Sequence, residues 1–127
     1  MGCTKSKYMG NKFIDPGKLR SQKKRIAHWD RVSRKKQEPN CAAVFYHQLL
    51  QKYYRFLVPT GLRVVELGCG HGDLLSGLKP SFGVGIDFSG EMIRTAAKKH
   101  PDLTFIKADA HSIEFKEKFD VIVLSDL

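Results

Sequence analysis

The sequence predicts an α/β protein built on a parallel sheet, and three observations predict it. After Gly61, short apolar β-branched runs alternate with helix-forming stretches. A glycine cluster joins the first run to the first of these stretches. Acidic residues then fall at the carboxyl ends of successive runs, where open α/β sheets bind ligands.

Each element has its own signal. Pro16-Gly17 reads as a turn. From Lys18 to about Gln37 the composition favours helix, with Leu19, Ile26, Trp29 and Val32 as a thin apolar stripe and Pro39 as its stop. Residues 41–57 form a second, more apolar helix in which Phe45, Leu49 and Tyr53 recur at spacing four. Pro59-Thr60-Gly61 closes it. Arg63–Leu67 is the first strand, Asp73–Lys79 a short helix closed by Pro80, and Gly83–Asp87 the second strand. Ser89 is a candidate N-cap for a helix reaching about Lys99 and ending near His100-Pro101. Leu103–Lys107 is the third strand. Phe119–Leu124 is the fourth, and its nearly continuous apolar run is the mark of a strand buried on both faces. The expected organisation is a flexible basic tail at 1–17, a helical segment at 18–60 and a partial ligand-binding domain at 61–127.

The segment Val64–Asp73 places glycines at 68, 70 and 72 between strand and helix. Such a loop turns sharply and lets a ligand lie against its backbone, and glycine permits both. Alone it suits many nucleotides. The spacing, however, is G-x-G-x-G, with Asp73 where the third glycine of a dinucleotide fingerprint belongs. Asp73 in the first helical turn satisfies the positive helix end and repels a diphosphate. Glu66, just before the loop, suits a cation. Both features disfavour an NAD(P)-dependent oxidoreductase and fit S-adenosylmethionine (SAM), which carries an ammonium and a sulfonium. Asp87 ends the second strand, 17 residues after Gly70, where a carboxylate can accept from ribose hydroxyls. Asp109 follows the third strand, placed to accept from an adenine amino group.

On four motifs in order, VVELGCGHGDLL at 64–75, GVGIDFSGEMIRTAAKK at 83–99, FIKADA at 105–110 and FDVIVLSDL at 119–127, the chain resembles the N-terminal half of class I SAM-dependent methyltransferases of the small, ubiquinone-methylase-like type. The resemblance implies a Rossmann-like parallel sheet of the class I methyltransferase type, in strand order 3-2-1-4, truncated after the fourth strand and preceded by N-terminal helices. It implies that Glu66, Gly68, Gly70 and Gly72 hold the methionine part of SAM, with Leu67 and Cys69 also in the cofactor-binding loop. Asp87 would hold the ribose, with Phe88 and Met92 beside the nucleoside and Asp109 and Ala110 at the adenine. Ser125 would line the methyl-transfer site, and Tyr46 and His47 of the second helix would close the pocket. No catalytic residue is assigned, because methyl transfer needs alignment more than acid or base. The family's sheet has seven strands and this chain supplies four. The expectation is therefore a fragment that binds SAM weakly and turns over little, its fourth strand an uncovered edge open to a partner chain. The alternative is a non-catalytic SAM-fold module completed by such a partner.

Charge and cysteines bound the remaining possibilities. Residues 1–40 hold 12 of the 22 Lys/Arg and 3 of the 13 acids, so the whole excess of +9 lies there and the rest is neutral. With Trp29 as the only aromatic in the basic segment 18–36, nucleic-acid binding is disfavoured, and the family resemblance implies a small-molecule methyl acceptor. His28, His47, His100 and His111 lack metal-ligand spacing, so no metal is expected. Cys3, Cys41 and Cys69 read as reduced thiols of a cytoplasmic protein. No apolar run is long enough to span a bilayer. A membrane role is expected only if the N-terminus is lipidated, since Met1–Ser6 fits the pattern for myristoylation at Gly2, with Cys3 as a palmitoylation candidate.

Overall fold

The computed structural model describes residues 16–34 and 41–125. The elements are α1 (Pro16–Arg34), α2 (Cys41–Leu57), β1 (Arg63–Leu67), α3 (Asp73–Gly77), β2 (Phe82–Asp87), α4 (Gly90–Lys99), β3 (Thr104–Lys107) and β4 (Val121–Leu124). The lipidation pattern, most of the tail, the Pro39 stop and the expected helix end near Gln37 lie outside the described residues. Pro16-Gly17 proves to be the first turn of α1, not a turn before it. Proline suits that position, because the first helical amides need no intrahelical acceptor.

The four strands form one parallel sheet in the order β3-β2-β1-β4, as expected. Central β1 pairs Glu66 with Gly85 of β2 and with Val123 of β4. Alternation sends Val64 and Val65 to opposite faces. Val64 joins Val58, Leu75, Leu78 and Val123 in one core cluster. Val65 joins Val84 and Ile86 in the other, where Phe82, Phe115 and Phe119 pack. Gly85 is required by a close approach: a Cβ there would stand 2.6 Å from the Phe105 ring and 2.9 Å from Cys69 Sγ.

Two expectations about the fourth strand are corrected. The fourth strand begins at Val121, not Phe119. The Phe119 ring stacks on Phe82 at 6.0 Å, and Asp120 binds Arg63 through both its backbone N–H and its Oδ2. Nor is β4 buried on both faces. Val123 is buried, whereas Ile122 (61% exposed) and Leu124 face outward at the edge of the described sheet. In α2 the Phe45, Leu49 and Tyr53 stripe is exposed. The helix meets α3 through a different face, where Gln51 Nε2 donates to Asp73 O, Arg55 Nε donates to Gly77 O and Tyr54 packs on the core. Among the described residues no helix is long and apolar enough to cross a membrane.

Candidate functional site

The site forms where β1 and β2 end side by side. Beyond Leu67 the chain turns back through Gly68, Gly70 and Gly72, all with positive φ (76°, 52° and 76°), a region other residues rarely adopt. The turn is pinned to β2, since Gly68 N and Cys69 N both donate to Ile86 O at 2.8 and 2.9 Å. At Gly70 an added Cβ would meet nothing within 4 Å, so open space faces the loop there.

Two buried acids flank the loop. Glu66, 2% exposed, accepts from Ser125 Oγ at 3.0 Å, joining the ends of β1 and β4. Asp87, 9% exposed, accepts from Gly70 N at 3.0 Å through Oδ2 and from Ser89 N at 2.8 Å through Oδ1. Each Asp87 oxygen keeps a second lone pair for a ligand donor. The negative field of this pair registers on Cys69 between them. Burial first, then the charges of Glu66 and Asp87, push the Cys69 thiol well above its ordinary pKa. Cys69 is therefore a neutral loop residue and no nucleophile.

The other expected residues are distributed around this centre. Leu67 packs its side chain on the second core cluster. Met92 is buried in the first turn of α4, whose N-cap is Ser89 as expected, with Met92 N donating to Ser89 Oγ at 3.3 Å. Phe88 is half-buried and its ring lies under the Arg25 guanidinium. Ala110 is half-buried beside Asp109, which accepts from His111 N and Gln22 Nε2. Burial opposes the Asp109 charge, but the His111 hydrogen bonds and charge and the nearby Arg25 outweigh it, holding the carboxyl below its usual range. Tyr46 and His47 are exposed on α2 with their rings 5.6 Å apart.

Asp73 sits in the first turn of α3, as expected, and its carboxylate is also paired across the fold. Lys99 Nζ lies 2.7 Å and His100 Nε2 2.9 Å from Oδ1, so the end of α4 largely neutralises it. Burial raises the Asp73 pKa, but Lys99 and His100 outweigh that and leave it lowered. A carboxyl lowered in the folded state contributes stability above its unfolded pKa, about 3.9, and loses it as pH falls through the folded value. Because the side chain is 48% exposed, solvent screening holds this to a few tenths of a kcal/mol. In urea midpoints measured from neutral to acid pH, Asp73→Asn should therefore cost that small amount near neutrality, and the difference should vanish well below about pH 4.

The site also contains groups that the sequence reading missed. Gln22, Arg25 and Asp30 of α1 touch Asp109, Phe88 and Ser89 respectively. Part of the signal was legible: Gln22, Ile26 and Asp30 recur at spacing four, the one acid and the one amide of a basic helix sharing a face with its isoleucine, although the spacing says nothing of what that face meets and does not include Arg25.

Comparison with known proteins places this geometry. The family described as Methyltransferase domain matches residues 64–127. The phthiotriol/phenolphthiotriol dimycocerosates methyltransferase of Mycobacterium leprae is 33% identical over 94 residues, covering 68% of this chain and 33% of that protein. Its counterpart from Mycobacterium tuberculosis H37Rv is 36% identical over 70 residues, covering 50% of this chain and 26% of that protein. The chain thus spans about a quarter to a third of the length of these relatives. Among solved structures, magnesium protoporphyrin IX methyltransferase of Synechocystis PCC 6803 with bound SAM has the same fold, at TM-score 0.63 and 20% identity over 93% of this chain and 65% of that one. A SAM-dependent methyltransferase of Thiobacillus denitrificans in complex with S-adenosylhomocysteine (SAH) aligns at TM-score 0.53 and 26% identity over 64% of this chain and 36% of that one. With the family match beginning at Val64 and running through the whole strand–glycine loop–helix unit, the chain belongs to the methyltransferase domain family.

Proposed function

We propose that this chain binds SAM at the Gly68–Gly72 loop and serves methyl transfer to a small-molecule acceptor in the cytoplasm. The observation that carries the reading is the pair of buried acids, Glu66 and Asp87, on either side of a glycine loop with open space at Gly70. Buried carboxylates there favour a cationic nucleoside and oppose a diphosphate. When bound, SAM supplies a methyl group activated by its sulfonium.

The residues divide the work. Glu66 and the loop backbone at Leu67, Gly68, Cys69, Gly70 and Gly72 hold the charged amino-acid end. Asp87 accepts from the ribose hydroxyls. Phe88 and Met92 enclose the nucleoside, and Asp109 with Ala110 meets the adenine. Ser125, bonded to Glu66, lies toward the acceptor side. The protein's contribution to rate is alignment in a water-poor site, which can supply ~7–11 kcal/mol of barrier reduction. The mycobacterial relatives are named as phthiotriol/phenolphthiotriol dimycocerosates methyltransferases, which supports a small-molecule acceptor.

A second reading, a non-catalytic SAM-fold module completed by a partner chain at β4, draws support from the outward-facing Ile122 and Leu124. Methyl transfer by the protein to any acceptor would eliminate it. Calorimetric titration with SAM, SAH and NAD tests the cofactor directly. Heat with SAM and SAH but none with NAD is the expected result, and tight NAD binding without a response to SAM overturns the proposal.

A further inference from the structure

Helix α1 turns a polar face toward the ligand end of the sheet. Gln22, Ile26 and Asp30 are half-buried along it. Gln22 Nε2 donates to Asp109 Oδ2 at 2.8 Å. The Arg25 guanidinium lies 5.9 Å from the centre of the Phe88 ring, within cation–π range. Asp30 accepts a hydrogen bond from Ser89 Oγ. The three partners stand just beyond the ends of β2 and β3, around the region assigned above to the nucleoside.

Asp30 is the only acid in α1, among seven lysines and arginines. Arg31 and Arg34 are close at hand on the same helix, yet the Asp30 carboxyl bonds Ser89 on α4. Ser89 is fully buried and already at a junction: its Oγ caps α4 at Met92 N and its backbone N–H donates to Asp87 Oδ1. Asp87 in turn holds Gly70 N. One continuous chain of hydrogen bonds therefore runs from α1 through the α4 cap and the Asp87 carboxylate to the glycine loop.

We propose that α1 is a cover over the nucleoside end of the pocket, that Asp30 is the positioning residue that latches it to Ser89, and that Gln22, bonded to Asp109, is its second tie. The gating part rests on the assignment of Asp87 and Asp109 to the nucleoside. The latch itself rests on the α1 contacts alone. Entry and exit of the cofactor both require the cover to swing, so the latch sets the rates. Gln22 is a second tie: Asp109 Oδ2 keeps a lone pair beside it for a ligand donor, so the amide need not leave when the nucleoside binds.

SAH binding kinetics and amide hydrogen exchange on the wild type, Asp30→Ala, Asp30→Asn and Gln22→Ala test the idea. Loss of the Ser89 bond in Asp30→Ala should speed SAH dissociation by about tenfold. It should also speed exchange of α1 amides in the ligand-free protein while β1 and β2 amides stay protected. Asp30→Asn keeps an oxygen that accepts from Ser89, and should restore both readouts. Gln22→Ala, which removes the second tie, should speed SAH dissociation by roughly threefold to tenfold. Unchanged α1 exchange in Asp30→Ala overturns the latch, as does Asp30→Asn behaving like the alanine variant. SAH binding with equal dissociation rates in all four proteins overturns the gate alone. A wild type that binds no SAH overturns the cofactor assignment and the gate with it, whereas the exchange data judge the latch independently.

Discussion

Asp87→Ala is expected to weaken SAH binding by about 100-fold, or ~3 kcal/mol. Two losses combine. The ribose hydroxyls lose a charged acceptor, and hydrogen bonds to charged groups contribute about 1.5–3 kcal/mol each. The amides of Gly70 and Ser89 lose their shared acceptor at a buried position, so the glycine loop and the α4 cap are no longer tied together. Asp87→Asn should fall between the two, because its one carbonyl oxygen can serve only one of the amides while its NH2 faces the other as a second donor. Calorimetric titration with SAH measures both, with circular dichroism to establish that the sheet remains. Unchanged affinity in Asp87→Ala would remove the ribose assignment.

The largest loss of stability is expected from Leu75→Ala, at about 2–5 kcal/mol. Leu75 is 0% exposed and packs in the cluster of Val58, Val64, Leu78 and Val123. It is also the buried residue of α3, a helix of five residues. So short a helix has no independent stability and exists only because its apolar side is held against the sheet. Losing that anchor removes a large share of a domain stability that is typically 5–15 kcal/mol. It also frees the helix that follows the glycine loop, so SAH affinity should fall in parallel. Urea unfolding should show a lower midpoint at an unchanged slope. Phe56→Ala is the matched control: that ring is 88% exposed, and its removal should stay within about 0.5 kcal/mol. Equal losses from the two substitutions would show that the core is not where the structure puts it.

Much of this architecture was readable from local patterns. The alternation of β-branched runs with helical stretches specified the parallel sheet, whereas its order, β3-β2-β1-β4, was implied by the resemblance to class I methyltransferases. Glycine at 68, 70 and 72 announced a loop that needs positive φ, and the Ser89 cap followed from its hydroxyl standing before GEMIRTAAKK. These features depend on neighbours a few residues away, and a short window contains all the chemistry involved. The pairings across long separations were out of reach of such reasoning. Asp73 is legible as a helix-end acid, but its partners Lys99 and His100 reach it only on folding. The apolar run of β4 reads the same whether one face or both are covered, and the spacing-four stripe of Phe45, Leu49 and Tyr53 in α2 does not reveal that the helix docks through Gln51, Tyr54 and Arg55. The contacts of α1 with Phe88, Ser89 and Asp109 are the clearest case. Periodicity tells which residues share a side of a helix, but what that side meets depends on how distant segments pack. That choice is made by the total burial and hydrogen bonding of the assembled fold, which no single segment carries.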